Sequence, residues 1–142
     1  MNGPVPIVRQ LVLCESASFS FSTGYTLVNP RLDFALARDE TFPIWYPELS
    51  LYAQLSGSYG THRFQIRLVE VTDPTAVPIT VFETPERAVN LGKSGGPYRR
   101  LSRSWVCRLN NVPFPTAGRY ELWMTFAGVP HGRLELIVEG GS

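Results

Sequence analysis

The chain has 142 residues, 44% of them hydrophobic and 18% charged, with a formal net charge of +1. That length suits one domain, residues 1–142, able to bury a core of its own, and the composition excludes a disordered chain. The near-zero charge gives no field for nucleic acid or an anionic membrane surface, and no run approaches the ~18 apolar residues of a membrane-spanning helix.

The first residues, Met1 to Cys14, carry Pro4, Pro6 and a lone Arg9 before a short apolar run, which is not the pattern of a signal peptide. A cytoplasmic location is therefore expected, and with it Cys14 and Cys107 as buried thiols rather than a bridge. Strand candidates begin with Ile7 to Cys14, Phe19 to Phe21, and Thr26 to Asn29 with Leu32 to Leu36. Pro30 divides this last candidate and marks a kink, a bulge or an edge.

Beyond an aromatic stretch at 42–47, Leu49, Leu51, Ala53 and Leu55 alternate with Ser50, Tyr52 and Gln54, the period of two of a half-buried strand. Phe64, Ile66 and Leu68 alternate in the same way with Arg63, Gln65 and Arg67. The turn residues Gly57, Ser58 and Gly60 between the two runs predict an antiparallel hairpin. Ile79 to Phe82 is a further candidate, and Thr84 to Arg100 is the longest stretch without a pattern.

From Leu101 to Leu109 one face carries Leu101, Trp105, Cys107 and Leu109 together with Arg103, which is expected at the strand's end. Tyr120, Leu122, Met124 and Phe126 alternate with Arg119, Glu121 and Thr125, and Leu134, Leu136 and Val138 with Arg133 and Glu135. Gly128, Pro130 and Gly132 are placed in the turn between them. No window has helical periodicity, and prolines at 74, 78, 85, 97, 113 and 115 interrupt most candidates. The expected class is all-β: a two-sheet antiparallel β-sandwich, immunoglobulin-like or related, of about eight strands.

Four segments carry a resemblance: Leu13-Cys14-Glu15; Leu27-Val28-Asn29-Pro30; Phe42-Pro43 through Leu55-Ser56-Gly57; and Pro115-Thr116-Ala117-Gly118-Arg119-Tyr120. Together the chain resembles a family of small uncharacterised bacterial proteins of predicted β-sandwich fold, a domain of unknown function. The resemblance implies the sandwich and brings no catalytic residue. The last segment has the form that turns a chain and packs a tyrosine at a sandwich corner.

The residues that could carry chemistry are sparse. Gly92-Lys93-Ser94 echoes the end of a phosphate-binding loop, but Arg87 stands where its first glycine belongs and Gly95-Gly96-Pro97 follows where a helix should start. His62 and His131 are the only imidazole bases, and no Gly-x-Ser-x-Gly elbow or paired metal-ligand spacing accompanies them. Asp33, Asp39, Glu40 and Asp73 form no dense calcium loop. Arg99, Arg100, Arg103 and Arg108, with Tyr98 and Trp105 interleaved, are the local basic concentration, and strand alternation divides them between two faces. No catalytic residue, metal ligand or cofactor is expected.

Phe42, Trp45 and Tyr46, stiffened by Pro43 and Pro47, are the candidate binding residues: rigid rings offer contact area at low entropic cost. The competing assignment has the same rings capping an open end of the core. The leading expectation is a non-enzymatic protein-binding or scaffold domain that uses this aromatic loop or a strand edge to meet a protein partner or a second copy of itself. The alternative is carbohydrate binding by these rings with Asp39, Glu40 or Glu48. A third is an enzyme without a recognisable motif, which His62 or His131 within hydrogen-bond reach of a Cys, Ser or carboxylate would favour.

Overall fold

The computed structural model describes residues 3–35, 41–92 and 103–140. Within them the chain forms ten strands and no helix: β1 (Ile7–Ser20), β2 (Gly24–Pro30), β3 (Asp33–Ala35), β4 (Ile44–Ser56), β5 (Thr61–Glu70), β6 (Ile79–Glu83), β7 (Arg87–Asn90), β8 (Arg103–Phe114), β9 (Gly118–Phe126) and β10 (Val129–Glu139). They make two sheets. The first has the order β2-β1-β4-β8, the second β3-β10-β9-β5-β6, with β7 also paired to β5. This is the expected all-β sandwich, with ten strands rather than eight because Asp33–Ala35 and Arg87–Asn90 form short strands of their own. One pairing departs from the antiparallel pattern, since β3 runs parallel to β10.

The alternating faces read from the sequence meet between the sheets. Leu49, Leu51, Ala53 and Leu55 of β4 and Cys107 and Leu109 of β8 lie opposite Phe64, Ile66 and Leu68 of β5 and Leu122, Met124 and Phe126 of β9, all buried. Burying each large apolar side chain contributes ~1.5–3 kcal/mol. Tyr120 closes the corner: its hydroxyl donates to the Thr116 carbonyl at 2.7 Å and accepts the Thr116 N–H at 3.2 Å. The ring itself is wholly buried beside Phe114.

Two sequence expectations are corrected. β4 and β5 do not form a hairpin; β4 lies in the first sheet and β5 in the second, and residues 57–60 arch between them. Gly57 and Gly60 hold left-handed φ values of 73° and 81° there, which bend the chain across the sandwich rather than back along its own sheet. Alternation is the same in either arrangement, because both strands present one face to the same core. In the β9–β10 hairpin, the turn is Ala127–Gly128, both left-handed, and Pro130 and Gly132 belong to β10 around a bulge at His131. Two consecutive left-handed residues are what a two-residue hairpin turn requires.

Thr84 to Arg100 is partly regular: Arg87–Asn90 pairs with Thr61–Phe64, while 93–100 lie outside the described residues. Pro30 does stand at a boundary, ending β2 at the rim of the first sheet before the chain crosses to β3 at the rim of the second.

Candidate interaction surface

The segment 42–47 is largely strand. Ile44 is buried, Trp45 is 58% exposed and Tyr46 turns inward again, so alternation divides the three aromatics. Tyr46 packs against Phe34 at 4.9 Å and Phe114 at 5.7 Å between ring centres, and the Arg31 guanidinium lies 4.9 Å from the Phe34 ring and 5.6 Å from that of Tyr46. Phe42 is half-buried against the core. These two rings close one end of the sandwich, and Trp45 alone faces out. Glu48 pairs with Arg108 at 3.7 Å across β4 and β8. Asp39 and Glu40 lie outside the described residues.

A different aromatic group is more exposed. Between Glu15 and Arg31 no residue is charged, and this stretch forms the far half of β1, a turn, and β2. Phe21 in the turn is 100% exposed, Phe19 53% and Val28 44%. Phe19 lies 5.2 Å from Phe21 and 4.9 Å from Tyr25.

This hairpin arm leans over the outward face of the first sheet. Tyr25 reaches across to Tyr52 of β4, ring to ring at 5.4 Å, and its hydroxyl donates to the Ser104 carbonyl of β8 at 2.9 Å. Tyr52 shares a hydrogen bond with the Ser104 hydroxyl at 2.7 Å. Cys14 and Ser50, paired on that outward face, have almost no exposure. Burial raises the Cys14 thiol above its ordinary pKa. At the arm's base, Glu15 accepts from Asn29 at 2.9 Å and pairs with Arg31 at 3.5 Å, so charge returns where the arm rejoins the body.

Beside that base, a mainly apolar cleft of about 380 Å³ opens between the sheets, lined by Leu11, Leu13, Pro30, Leu32 and Leu134 together with the charged Arg31 and Asp33. A second, wider hollow of about 500 Å³ lies near His62, Arg63, Glu86 and Phe126. His62 Nε2 is 2.9 Å from Ser58 Oγ and 3.0 Å from the Tyr59 carbonyl. Ser58 donates to the Pro4 carbonyl. A carbonyl can only accept, so the Tyr59 contact puts the proton on Nε2, where it can take none from Ser58. The serine and histidine are thus within reach of each other, but in the roles of a knot that ties the amino-terminal segment to the 57–60 arch.

His131 stands at the β10 bulge, edge-on to Phe126 at 5.7 Å. No group of three or more potential metal ligands occurs among the described residues. Cys14 and Cys107 are free and buried. The Cys107 thiol is raised by burial, against an opposing pull from Arg87, whose Nη1 is 2.7 Å from the sulfur.

Asp73 accepts from the Thr75 hydroxyl at 2.7 Å and its N–H at 2.9 Å, which holds its carboxyl below the ordinary range in an exposed turn. Asp33 lies in β3 at the cleft. Of the basic stretch, Arg103 opens β8, Arg108 points out, and Trp105 turns in against Phe64 at 4.5 Å; Tyr98, Arg99 and Arg100 lie outside the described residues, as do Lys93 and Ser94.

A family model matches residues 10–139. The chain belongs to DUF6941, a family of unknown function. No curated protein matches it. Among solved structures, a beta-glucosidase from Listeria innocua is similar at 13% identity and a TM-score of 0.48, over 96% of this chain and 16% of that one. The same enzyme in complex with isofagomine is similar at 14% identity and 0.47, over 93% and 16%. This DUF6941 chain therefore spans a small part of the length of those enzymes. No helix among its described residues is long and apolar enough to cross a membrane.

Sequence reasoning passed over Phe19 and Phe21 because Ser-Phe-Ser-Phe-Ser reads as a short strand. The signal that was available is the absence of charge from Ser16 to Pro30 in a chain that otherwise places a charged residue on nearly every strand.

Proposed function

We propose that this chain is a non-enzymatic binding domain that meets a protein partner through the hairpin arm. The observation that carries the proposal is Phe21, fully exposed and joined by Phe19 and Tyr25 on an arm without charge. Aromatic rings held out in water on a braced support cost free energy in the isolated protein and repay it at an interface, where such side chains supply most of the binding energy. Tyr25 braces the arm through Tyr52 and Ser104, which limits the ordering that a partner must impose. We set the protein in a bacterial cytoplasm, where reducing conditions keep Cys14 and Cys107 as thiols.

The test is a photo-crosslinking phenylalanine analogue at position 21, compared in source cells with the same analogue at Val77, which is 85% exposed in the β5–β6 connection. A discrete protein adduct from position 21 and none from position 77 is expected, lost when Phe19 and Tyr25 are both changed to Ser. No adduct from position 21, or equal adducts from both, removes the arm as the contact surface.

The exposure of Trp45, three residues before Glu48 on β4, favours a second reading: a sugar ring stacked on the indole. Quenching or a shift of tryptophan fluorescence across a glycan panel, absent in Trp45→Phe, checks it.

A further inference from the structure

The strands at the rims of the two sheets are not alike. β8 carries Arg103 and Arg108 and a left-handed Asn111; β6 carries Glu83 between Pro78 and Pro85; β3 is three residues long. Charges, prolines, kinks and shortness are the devices that stop a sheet edge from pairing with another chain. β2 has seven residues, no charge, and only Asn29 and Pro30 at its last positions to end it. Among the described residues no strand pairs with its outer side.

Resting on the binding reading above, we infer that the partner is a second copy of this chain, joined through antiparallel pairing of β2 with β2. The Arg31 N–H donates to the Leu13 carbonyl at 2.8 Å, and the register pairs Ser16 with Val28 and Ser18 with Thr26. Alternation then turns the main-chain groups of Thr26 and Val28 away from β1, toward the free edge. Full overlap of Gly24–Pro30 with its copy sets Leu27 opposite Leu27 and Thr26 opposite Val28, so the outward groups bond in pairs about a two-fold axis. Gly24 meets Pro30, whose missing N–H is the donor lost at each end. No charge meets its own kind anywhere along this seam.

The same register decides where the exposed ring goes. The tip of one arm passes beyond Pro30 of the other copy, where the chain leaves for β3 and the apolar cleft opens. About 380 Å³ accommodates a phenyl ring. Phe21 of each copy fills the cleft of the other, which accounts together for a fully exposed phenylalanine and an unfilled apolar slot. The exchange is reciprocal, so the assembly closes as a dimer and does not grow into a filament.

Sedimentation of the full chain over a wide concentration range, with charge-reversal variants, tests this. The wild type is expected to dimerise, and Thr26→Lys with Val28→Lys to be monomeric, because each new lysine faces another across the axis. Thr26→Glu with Val28→Glu is expected to be monomeric as well, and an equal mixture of the two variants to dimerise again. Phe21→Ser is expected to weaken association roughly tenfold or more, as the loss of two buried rings implies.

A wild type that stays monomeric overturns the inference, as does a dimer indifferent to the charges or a mixture that fails to recover it. A monomer that still forms a specific adduct from position 21 with a different protein would sink the self-pairing and leave the binding reading standing. The loss of both would sink both.

Discussion

The two outward faces of the sandwich are built on opposite principles. On the second sheet, long polar side chains tie neighbouring strands together: Arg67 with Glu83 at 3.1 Å, Arg119 with Glu135 at 3.2 Å, and Arg133 near Glu121 at 4.0 Å and over the Trp123 ring at 5.0 Å. On the first, Glu48 and Arg108 pair across β4 and β8, but Ser50, Tyr52, Ser104 and Val106 are uncharged, and the uncharged arm leans over them. One face is finished against water by charge; the other is finished by a piece of the chain itself, which then leaves aromatics of its own uncovered. The face poorer in charge is the one with something left to bind.

The largest expected effect is at the brace. Tyr52→Ala removes the ring and hydroxyl that hold Tyr25 and Ser104, and should cost about 2 kcal/mol, between a half-buried and a fully buried aromatic deletion. Urea unfolding would measure it. If that loss fell below the effect of a surface ion pair, the arm would not be docked. Next, Tyr25→Ser should release the arm at a cost of about 1 kcal/mol and raise the alkylation rate of Cys14 while leaving that of Cys107 unchanged. Unaltered Cys14 labelling would mean that something other than the arm covers it.

A smaller effect is tied to pH. The folded-state pKa of Cys14 is raised by burial, so the unfolded chain gives up this proton first as pH rises. The contribution is fully present below the unfolded thiol's ordinary pKa and is lost as the pH rises from there through the folded value. Denaturant midpoints taken from neutral to alkaline pH should therefore fall, and fall less steeply in Cys14→Ala. The smallest effect belongs to the charged face: Arg67→Ala and Arg119→Ala should each change stability by about 0–1 kcal/mol, further reduced in high salt. A loss of several kcal/mol from either would erase the contrast between the faces.

Much of the fold was legible because a strand facing a core must alternate. The runs at Leu49–Leu55, Phe64–Leu68, Tyr120–Phe126 and Leu134–Val138 all enter the core as their pattern demanded, and Tyr120 takes the corner position that its motif marks. The partner of each strand was less legible. Alternation says which side chains face inward, but a run crossing to the opposite sheet presents the same pattern as one folding back beside its neighbour, and this is why the β4–β5 hairpin was expected. The 42–47 segment shows a related ambiguity, since proline-flanked aromatics resemble a rigid loop until the strand period assigns Tyr46 inward and Trp45 outward.

By itself the sequence determined the class of fold, the inward faces, the corner tyrosine and the absence of a recognisable catalytic motif, because each follows from local periodicity or local chemistry. Tertiary structure decided which strands stand at the rims, that Tyr25 reaches Ser104 some eighty residues away along the chain, and that Phe21 is left in water at the arm's tip while an apolar cleft opens at its base. Those are properties of how distant segments meet, and an amino-acid pattern of period two records only which side of its own strand a residue is on.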